Sequence, residues 1–372
     1  MTKTPNFEQL VSQFAFRGEF LDAQPYGLGH INDTYALNFR HNGDNYRYIL
    51  QRINQQVFKE PEAVMENMTL VTQHLRQKIQ STGGDPERET IYLIPTVDGK
   101  AFLKTANEDY WRAETFIENA TSYQIAPRLT SYYHAAKAYG SFIRYLEDLP
   151  LDQIQVTIPD FHNTPKRYQA LMKAAKEDIV GKADLVREEI GFVLQRKVET
   201  ETLIGLLEND EIPQRITHND AKLNNILLDD KTGEAVCVID LDTVMPGLSL
   251  YDFGDLVRSS ATSAEEDEAN LSQVKFDPGI FEQIVNGFLD ATLEILTPAE
   301  IRYLAYSARL ITLENGTRFL TDYLSGDTYF KIDRQNHNLD RARNQFKLVR
   351  EMEDNFDLME TIVKSHAKQL QA

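Results

Sequence analysis

Cysteine is almost absent from this chain: among 372 residues, Cys237 is the only one. An internal disulfide is excluded, and the setting of Cys237 in the apolar run AVCVID reads as a small core residue of a protein kept in a reducing compartment. Positive charge is scarce as well, with 39 Lys and Arg against 57 Asp and Glu and a formal net charge of −18. Binding to a polyanion needs a basic surface, so nucleic-acid and membrane roles fall away. A substrate with one or a few phosphates is still possible, because metal ions and backbone amides can hold it against an acidic background. No uncharged run is long enough to span a bilayer, and the start, MTKTPNFEQLVSQ, lacks the apolar centre of a signal peptide. Internal repeats and low-complexity segments are missing too. These absences predict a cytoplasmic protein that acts on a small molecule, and they leave its oligomeric state open.

What is present is ordinary globular material, 42% hydrophobic and 26% charged. The length exceeds that of a usual single core, so two lobes are expected. The texture changes near residue 120. Before it lie five strand-like runs, at 34–40, 46–53, 90–96, 100–106 and 110–117, punctuated by His41-Asn42-Gly43-Asp44 and Asp98-Gly99. One helix, about 60–80, opens with Pro61 in its first turn. From residue 118 on, helical periodicity runs through 127–148, 165–208, 278–294, 298–324 and 339–369, with Thr297-Pro298-Ala299-Glu300 as a capping box. The expected fold is α+β: a five-stranded antiparallel lobe with one helix (1–117) and a larger helical lobe (118–372).

Only residues 215–242, ITHNDAKLNNILLDDKTGEAVCVIDLD from Ile216 on, interrupt the helical texture. Its middle reads as a hairpin, 226–228 and 235–239 around a polar turn with Gly233. The residues flanking a hairpin meet at its open end, so Asn225 and Asp240 become neighbours, with Asp220 in the loop leading there. Two carboxylates and an amide oxygen are hard ligands suited to Mg²⁺ shared with substrate phosphates, and one carboxylate is left to face an acceptor. Asp242 faces the same way if the strand geometry continues, which makes it a candidate ligand of a second metal or a support behind the ligands, against a solvated carboxylate.

The residues His218, Asp220, Lys222 and Asn225 resemble the HxDxKxxN catalytic loop of the protein-kinase-like superfamily, with Asp240 where its metal-binding aspartate belongs. Asp252-Phe253-Gly254 is the tripeptide that carries that aspartate in protein kinases, but it lies too far along the chain. The resemblance instead implies that Asp252 supports the catalytic loop by hydrogen bonds. No Ala-Pro-Glu follows, so peptide substrates are not expected. The pattern HND…N…IDLDT…YDFGD is similar to the aminoglycoside phosphotransferase and choline kinase branch. Together GHINDTYAL, YILQRIN, HNDAKLNNILLD, IDLDTVMPGL and RFLTDYLSGDTYFK resemble the bacterial N-acetylhexosamine 1-kinases.

That resemblance implies transfer of the ATP γ-phosphate, with Mg²⁺, to the anomeric hydroxyl of N-acetylglucosamine or N-acetylgalactosamine. Asp220 would be the base, Lys222 would reach the transferred phosphate, and His218 would organise the loop. Gly27 and Gly29 would belong to a phosphate-covering loop, although Asp33 stands where that loop's last glycine belongs. The strand lysine is missing: either Gln51 or Arg52 faces the cleft, and Arg52 is preferred for its charge, with Glu62 or Glu66 as its helix partner. Phe116, Ile117 and Glu118 lie in the hinge segment that would meet adenine. His30, Asn32, Asp33, His162, Arg318 and Tyr329 are the sugar candidates. The rival readings are a kinase for choline, methylthioribose or an aminoglycoside, with the acidic run SAEEDEAN as a cation site, and an inactive kinase-like binding protein.

Overall fold

The computed structural model describes residues 5–27, 31–262 and 264–371. A short helix, α1 (Phe7–Val11), leads into strands β1 (Glu19–Pro25), β2 (Asp33–His41) and β3 (Asp44–Arg52). Helix α2 (Pro61–Ser81) follows, then β4 (Leu103–Lys104) and β5 (Tyr110–Thr115). The five strands form one antiparallel sheet in the order β1-β2-β3-β5-β4. Asn42 and Gly43 make a two-residue turn between β2 and β3, with φ of 53° and 93°. Asn and Gly adopt positive φ at little cost, which is why this dipeptide closes the hairpin.

Two expectations about the sheet need correction. Residues 90–96 are not a strand; they meet the sheet region through the isolated pairs Leu93–Glu114 and Phe14–Thr96 and through backbone bonds of Tyr92 and Ile94 to β5. Their place is taken by β1, EFLDAQP, an edge strand whose largely exposed residues give no alternating signal. The run 100–106 shortens to the two residues of β4.

One face of the sheet buries Leu37, Phe39, Tyr48, Leu50, Trp111 and Ala113 against Leu10, Phe14 and Ile94. Strand alternation therefore turns Gln51, Arg112 and Glu114 to the other face. Helix α2 is held by a stripe at helical spacing, Val64, Met68, Val71, Leu75 and Ile79, buried with Phe142, Ile216, Leu241 and Val244. Its buried Asn67 donates to the backbone carbonyls of Gln155 and Val244, at 2.8 and 3.1 Å.

The remainder is mainly helical: β6 (Ala120–Thr121), α3 (Leu129–Tyr145), α4 (Thr164–Glu177), α5 (Arg187–Leu194), α6 (Lys197–Thr200), α7 (Thr202–Glu208), β7 (Arg215–Thr217), β8 (Ile226–Asp229), β9 (Ala235–Val238), β10 (Met245–Gly247), α8 (Ser249–Ser260), α9 (Pro278–Thr292), α10 (Pro298–Leu324), α11 (His337–Asp354) and α12 (Phe356–Gln371). The long periodic run 165–208 divides into four helices; Asp178, at φ 40°, ends the first of them. Helices α3 and α9 cross so closely that a Cβ on Gly287 would stand 2.0 Å from the Tyr133 carbonyl oxygen. Helix α8 meets α10 at Gly254, where a Cβ would lie 2.7 Å from the Ser307 carbonyl oxygen.

The capping box of α10 forms as expected between Thr297 and Glu300. Glu300 also binds Arg215 of β7, so the start of this helix anchors the strand that leads into the β8–β9 hairpin. No helix among the described residues is long and apolar enough to cross a membrane.

Candidate active site

Strand β7 ends at Thr217, and the chain turns sharply through Asn219, whose φ is 63°. Asparagine tolerates this left-handed conformation better than most residues. Its side-chain amide donates to the carbonyls of Thr217, Thr243 and Met245, each at 3.1 Å, which locks the turn to the strand beside it. Asp252, buried in α8, accepts from the backbone N–H of His218 at 2.8 Å and of Asn219 at 2.7 Å. Burial pushes this carboxyl up to about 7, while the two N–H donors pull it down. The DFG aspartate thus holds the loop from behind, and Gly254 is the residue that lets its helix lie on α10.

The His218 ring is buried between two partners of opposite kind. Its Nε2 lies 2.9 Å from the Ile239 carbonyl oxygen, and its Nδ1 receives the Asp220 N–H at 3.3 Å. One nitrogen must donate and the other accept, so the ring is neutral, in line with burial lowering its pKa. This ring organises backbone at both ends of the site.

Asp220 lies 2.9 Å from the Lys222 ammonium. Burial alone would raise its pKa, but Lys222 outweighs that and holds it below the usual carboxylate range. Asn225 donates its amide to the Asp220 side chain at 3.1 Å and to its carbonyl at 2.9 Å. That orientation leaves the Asn225 Oδ1 oxygen available. The N–H of Ile239 bonds to the Asn225 carbonyl at 2.9 Å, so the hairpin does bring Asn225 beside Asp240. Asp240 takes a left-handed conformation, φ 61°.

Burial, and then the nearby carboxylates of Asp242 and Asp220, push Asp240 up to about 8. Like charges crowded in this way favour a bound cation. Asn225 Oδ1 and Asp240 are hard oxygen donors of the kind that would suit Mg²⁺ if phosphates and water completed its shell. Among the described residues no cluster of three or more His, Cys, Asp or Glu forms a metal cage without such help.

Several expected site residues stand elsewhere. Asp242 is not a free ligand: the Arg112 guanidinium binds both of its oxygens, with Nη2 at 2.7 Å from Oδ2. Arg52, the preferred substitute for the strand lysine, lies on the far face of the sheet, paired with Asp33 and 3.7 Å from Asp109. Asp33 is thereby also drawn away from any sugar. Gln51 has the inward side, where its Oε1 accepts from Arg112 Nε at 2.9 Å. Neither helix glutamate pairs with β3, since Glu62 accepts from Tyr110 and Glu66 from Gln155.

His162 is closed to a ligand, because its ring nitrogens lie 2.8 Å from Glu314 and 2.8 Å from the Asn219 carbonyl oxygen. Asn32 points to Asp242 at 3.2 Å. Gly29 and His30 lie outside the described residues; Gly27, at φ 79°, precedes them. In the hinge segment, Tyr26 meets the Phe116 ring edge-on at 5.3 Å, Ile117 is buried, and Glu118 pairs with Arg47.

Arg318 stacks over Phe161 and Phe330, 5.5 Å from each ring. Tyr329, 60% exposed, stands beside Phe330. The acidic run is docked: Glu266 binds Arg258, which holds Asp255, and Asp267 meets His337 at 3.0 Å. It is therefore not a free cation trap.

Arg112, Glu114 and Glu314 went unrecognised in the sequence. Two charged residues on alternate positions of YWRAETF, on either side of Ala113, were a usable signal, as was a lone glutamate in ITLENG.

Solved structures share the fold. An aminoglycoside phosphotransferase from Alicyclobacillus acidocaldarius superposes with a TM-score of 0.61 at 14% identity, covering 100% of this chain and 98% of its own. A spectinomycin phosphotransferase in complex with ADP and spectinomycin gives 0.57 at 14%, covering 93% and 97%. A choline kinase from Cryptosporidium parvum gives 0.57 at 14%, covering 93% of each chain. Identities this low speak for the fold alone, the protein-kinase-like combination of a five-stranded sheet and a helical region. The match to the phosphotransferase enzyme family (APH) extends over residues 22–280, more than half the chain, and with the hairpin geometry above it settles the family. The chain belongs to the phosphotransferase enzyme family and is a small-molecule phosphotransferase with an alcohol acceptor.

Proposed function

We propose that this phosphotransferase transfers the γ-phosphate of ATP to the anomeric hydroxyl of an N-acetylhexosamine, giving the sugar 1-phosphate. The observation that carries the chemistry is the grouping of Asp220, Lys222, Asn225 and Asp240 at the open end of one hairpin. Asp220 orients the acceptor hydroxyl and takes its proton as the O–P bond forms and the bond to the leaving ADP breaks; such base assistance contributes about 10²- to 10⁴-fold. Lys222 then balances charge on the transferred group. Asn225 and Asp240 would hold Mg²⁺, which neutralises phosphate charge. The sheet region up to residue 117 serves the nucleotide, and the helical region from 118 serves the acceptor. ADP in the spectinomycin phosphotransferase supports the nucleotide assignment. An ATP-requiring reaction and an unpaired buried cysteine fit the cytoplasm.

The choice of a sugar over a cationic alcohol rests on Arg167 and Arg318. Among the described residues neither has a salt-bridge partner, and the buried Nε of Arg167 has no hydrogen-bond partner. Burial, and then the Arg318 guanidinium, lower the Arg167 pKa against the pull of Glu314 and Asp160, so the two cations feel one another beside Phe161. Such a wall repels choline or an aminoglycoside and offers donors to hydroxyl and acetamido oxygens.

Phosphorus NMR with ATP and Mg²⁺ should show a sugar 1-phosphate from N-acetylglucosamine or N-acetylgalactosamine and no product from choline. A 6-phosphate, or turnover of choline alone, would overturn the assignment. Asp220→Asn should lower kcat by about 10²- to 10⁴-fold with the circular dichroism spectrum unchanged; unchanged turnover would remove Asp220 from its role.

A further inference from the structure

We infer that Arg112 on β5, clamped to Asp242, is the positioning residue that sets Asp240 for the metal-bound nucleotide, in place of a lysine on β3 paired to a helix glutamate. The inference rests on the phosphotransferase reading above. Arg112 and Asp242 are 1% and 2% exposed and lie 130 residues apart in sequence, so this ion pair ties the sheet directly to the hairpin. Both guanidinium Nη atoms bond to Asp242, while Nε is shared by Gln51 at 2.9 Å and Glu114 at 2.8 Å. Each of the three guanidinium nitrogens thus has a partner on β3, β5 or the loop after Asp240.

Gln51 and Arg112 face one another across the β3–β5 ladder. The cation missing from β3 is thus supplied by the neighbouring strand in the same register, and Gln51 steers it instead of carrying charge. Asp242 gathers a third element. Asn32, which leads into β2, donates to it at 3.2 Å, and Asn32 Oδ1 in turn accepts the N–H of Asn54 at 2.9 Å. The segment after the glycine-containing loop, the sheet and the metal-side loop therefore converge on one carboxylate. Asp240, two residues away and in a left-handed conformation, cannot shift without disturbing that node.

The usual alternative is closed off in this structure. Glu62 and Glu66 of α2 are engaged by Tyr110 and Gln155, and Arg52 points to the other face. Outer groups that orient ligating carboxylates typically change metal affinity by about 10- to 100-fold when removed.

The test measures ADP binding by calorimetry with and without Mg²⁺, needing no acceptor. Arg112→Lys, and the charge-neutral double variant R112Q/D242N, should weaken Mg²⁺-supported ADP binding by about 10- to 100-fold and leave Mg²⁺-free binding within about twofold. Adding Gln51→Lys to Arg112→Gln should restore part of the loss, since the cation returns to the cleft from β3. A folded Arg112→Lys enzyme with wild-type Mg²⁺ dependence would overturn the inference, as would equal losses with and without Mg²⁺, which mark a merely structural residue. If the double variant fails to fold, Arg112→Lys decides. A wild-type chain that binds no Mg²⁺-nucleotide would instead count against the proposed kinase function.

Discussion

Two histidines touch the loop that carries Asp220, and their partners give them different protonation states. His218 has one donor and one acceptor as neighbours and is neutral. His162 faces the Glu314 carboxylate and the Asn219 carbonyl, two acceptors, so both nitrogens must carry protons. Burial alone would lower its pKa, but Glu314 overcomes that and raises it. A histidine raised above its unfolded value of about 6.5 contributes stability that is complete below that pH and fades as pH rises through the folded value. The melting-temperature gap between wild type and His162→Gln should therefore be widest near pH 6 and shrink toward pH 9; a gap that grows with pH would contradict the charged pair. His218, Asp220, Asn225 and Asp240 were legible because hairpin geometry and spacing act over a short stretch. The partners that engage His162 and Asp242, Glu314 and Arg112, were not legible because they come from distant elements that spacing does not reveal.

At the level of elements, close helix crossings carry the catalytic hairpin, and glycines permit them. Gly287 admits the Tyr133 carbonyl of α3 at a distance no side chain allows, whereas Gly191 in α5 faces open space. Gly287→Ala should cost about 1–3 kcal/mol or more through overpacking. Gly191→Ala should gain up to about 1 kcal/mol by stiffening the unfolded chain. Urea unfolding checks both, and a neutral Gly287→Ala would mean that α3 and α9 can separate freely. Helices α2, α9 and α10 could be read from periodicity and caps because their apolar stripes are long. Strand β1 could not, since an exposed edge strand needs little hydrophobic alternation, and 90–96 looked like a strand because its buried Ile91, Leu93 and Ile94 serve two cores without joining a ladder. Arg52 against Gln51 was a question of parity, which only the buried neighbours Leu50 and Trp111 decide.

For the molecule as a whole, a charge of −18 means self-repulsion in the folded state. Raising NaCl from about 0.01 M to about 0.15 M shortens the screening length from about 30 Å to about 8 Å. Exposed ion pairs such as Arg187–Asp184 lose little by this, because they contribute little. The melting temperature should therefore rise with salt; a flat or falling trend would show that paired charges outweigh the excess. The two textures of the sequence mirror a sheet and a helical mass, and the ties between them, Arg112 to Asp242 and Asn67 to Val244, are side-chain meetings that a linear reading does not display. One of the buried contacts has a thermal consequence. The amide protons of His218 and Asn219 share a single acceptor, Asp252, on a helix seated against α10 through Gly254. They form one latch, so the loop that carries Asp220 is expected to loosen on heating only as the helical core around α8 and α10 begins to come apart.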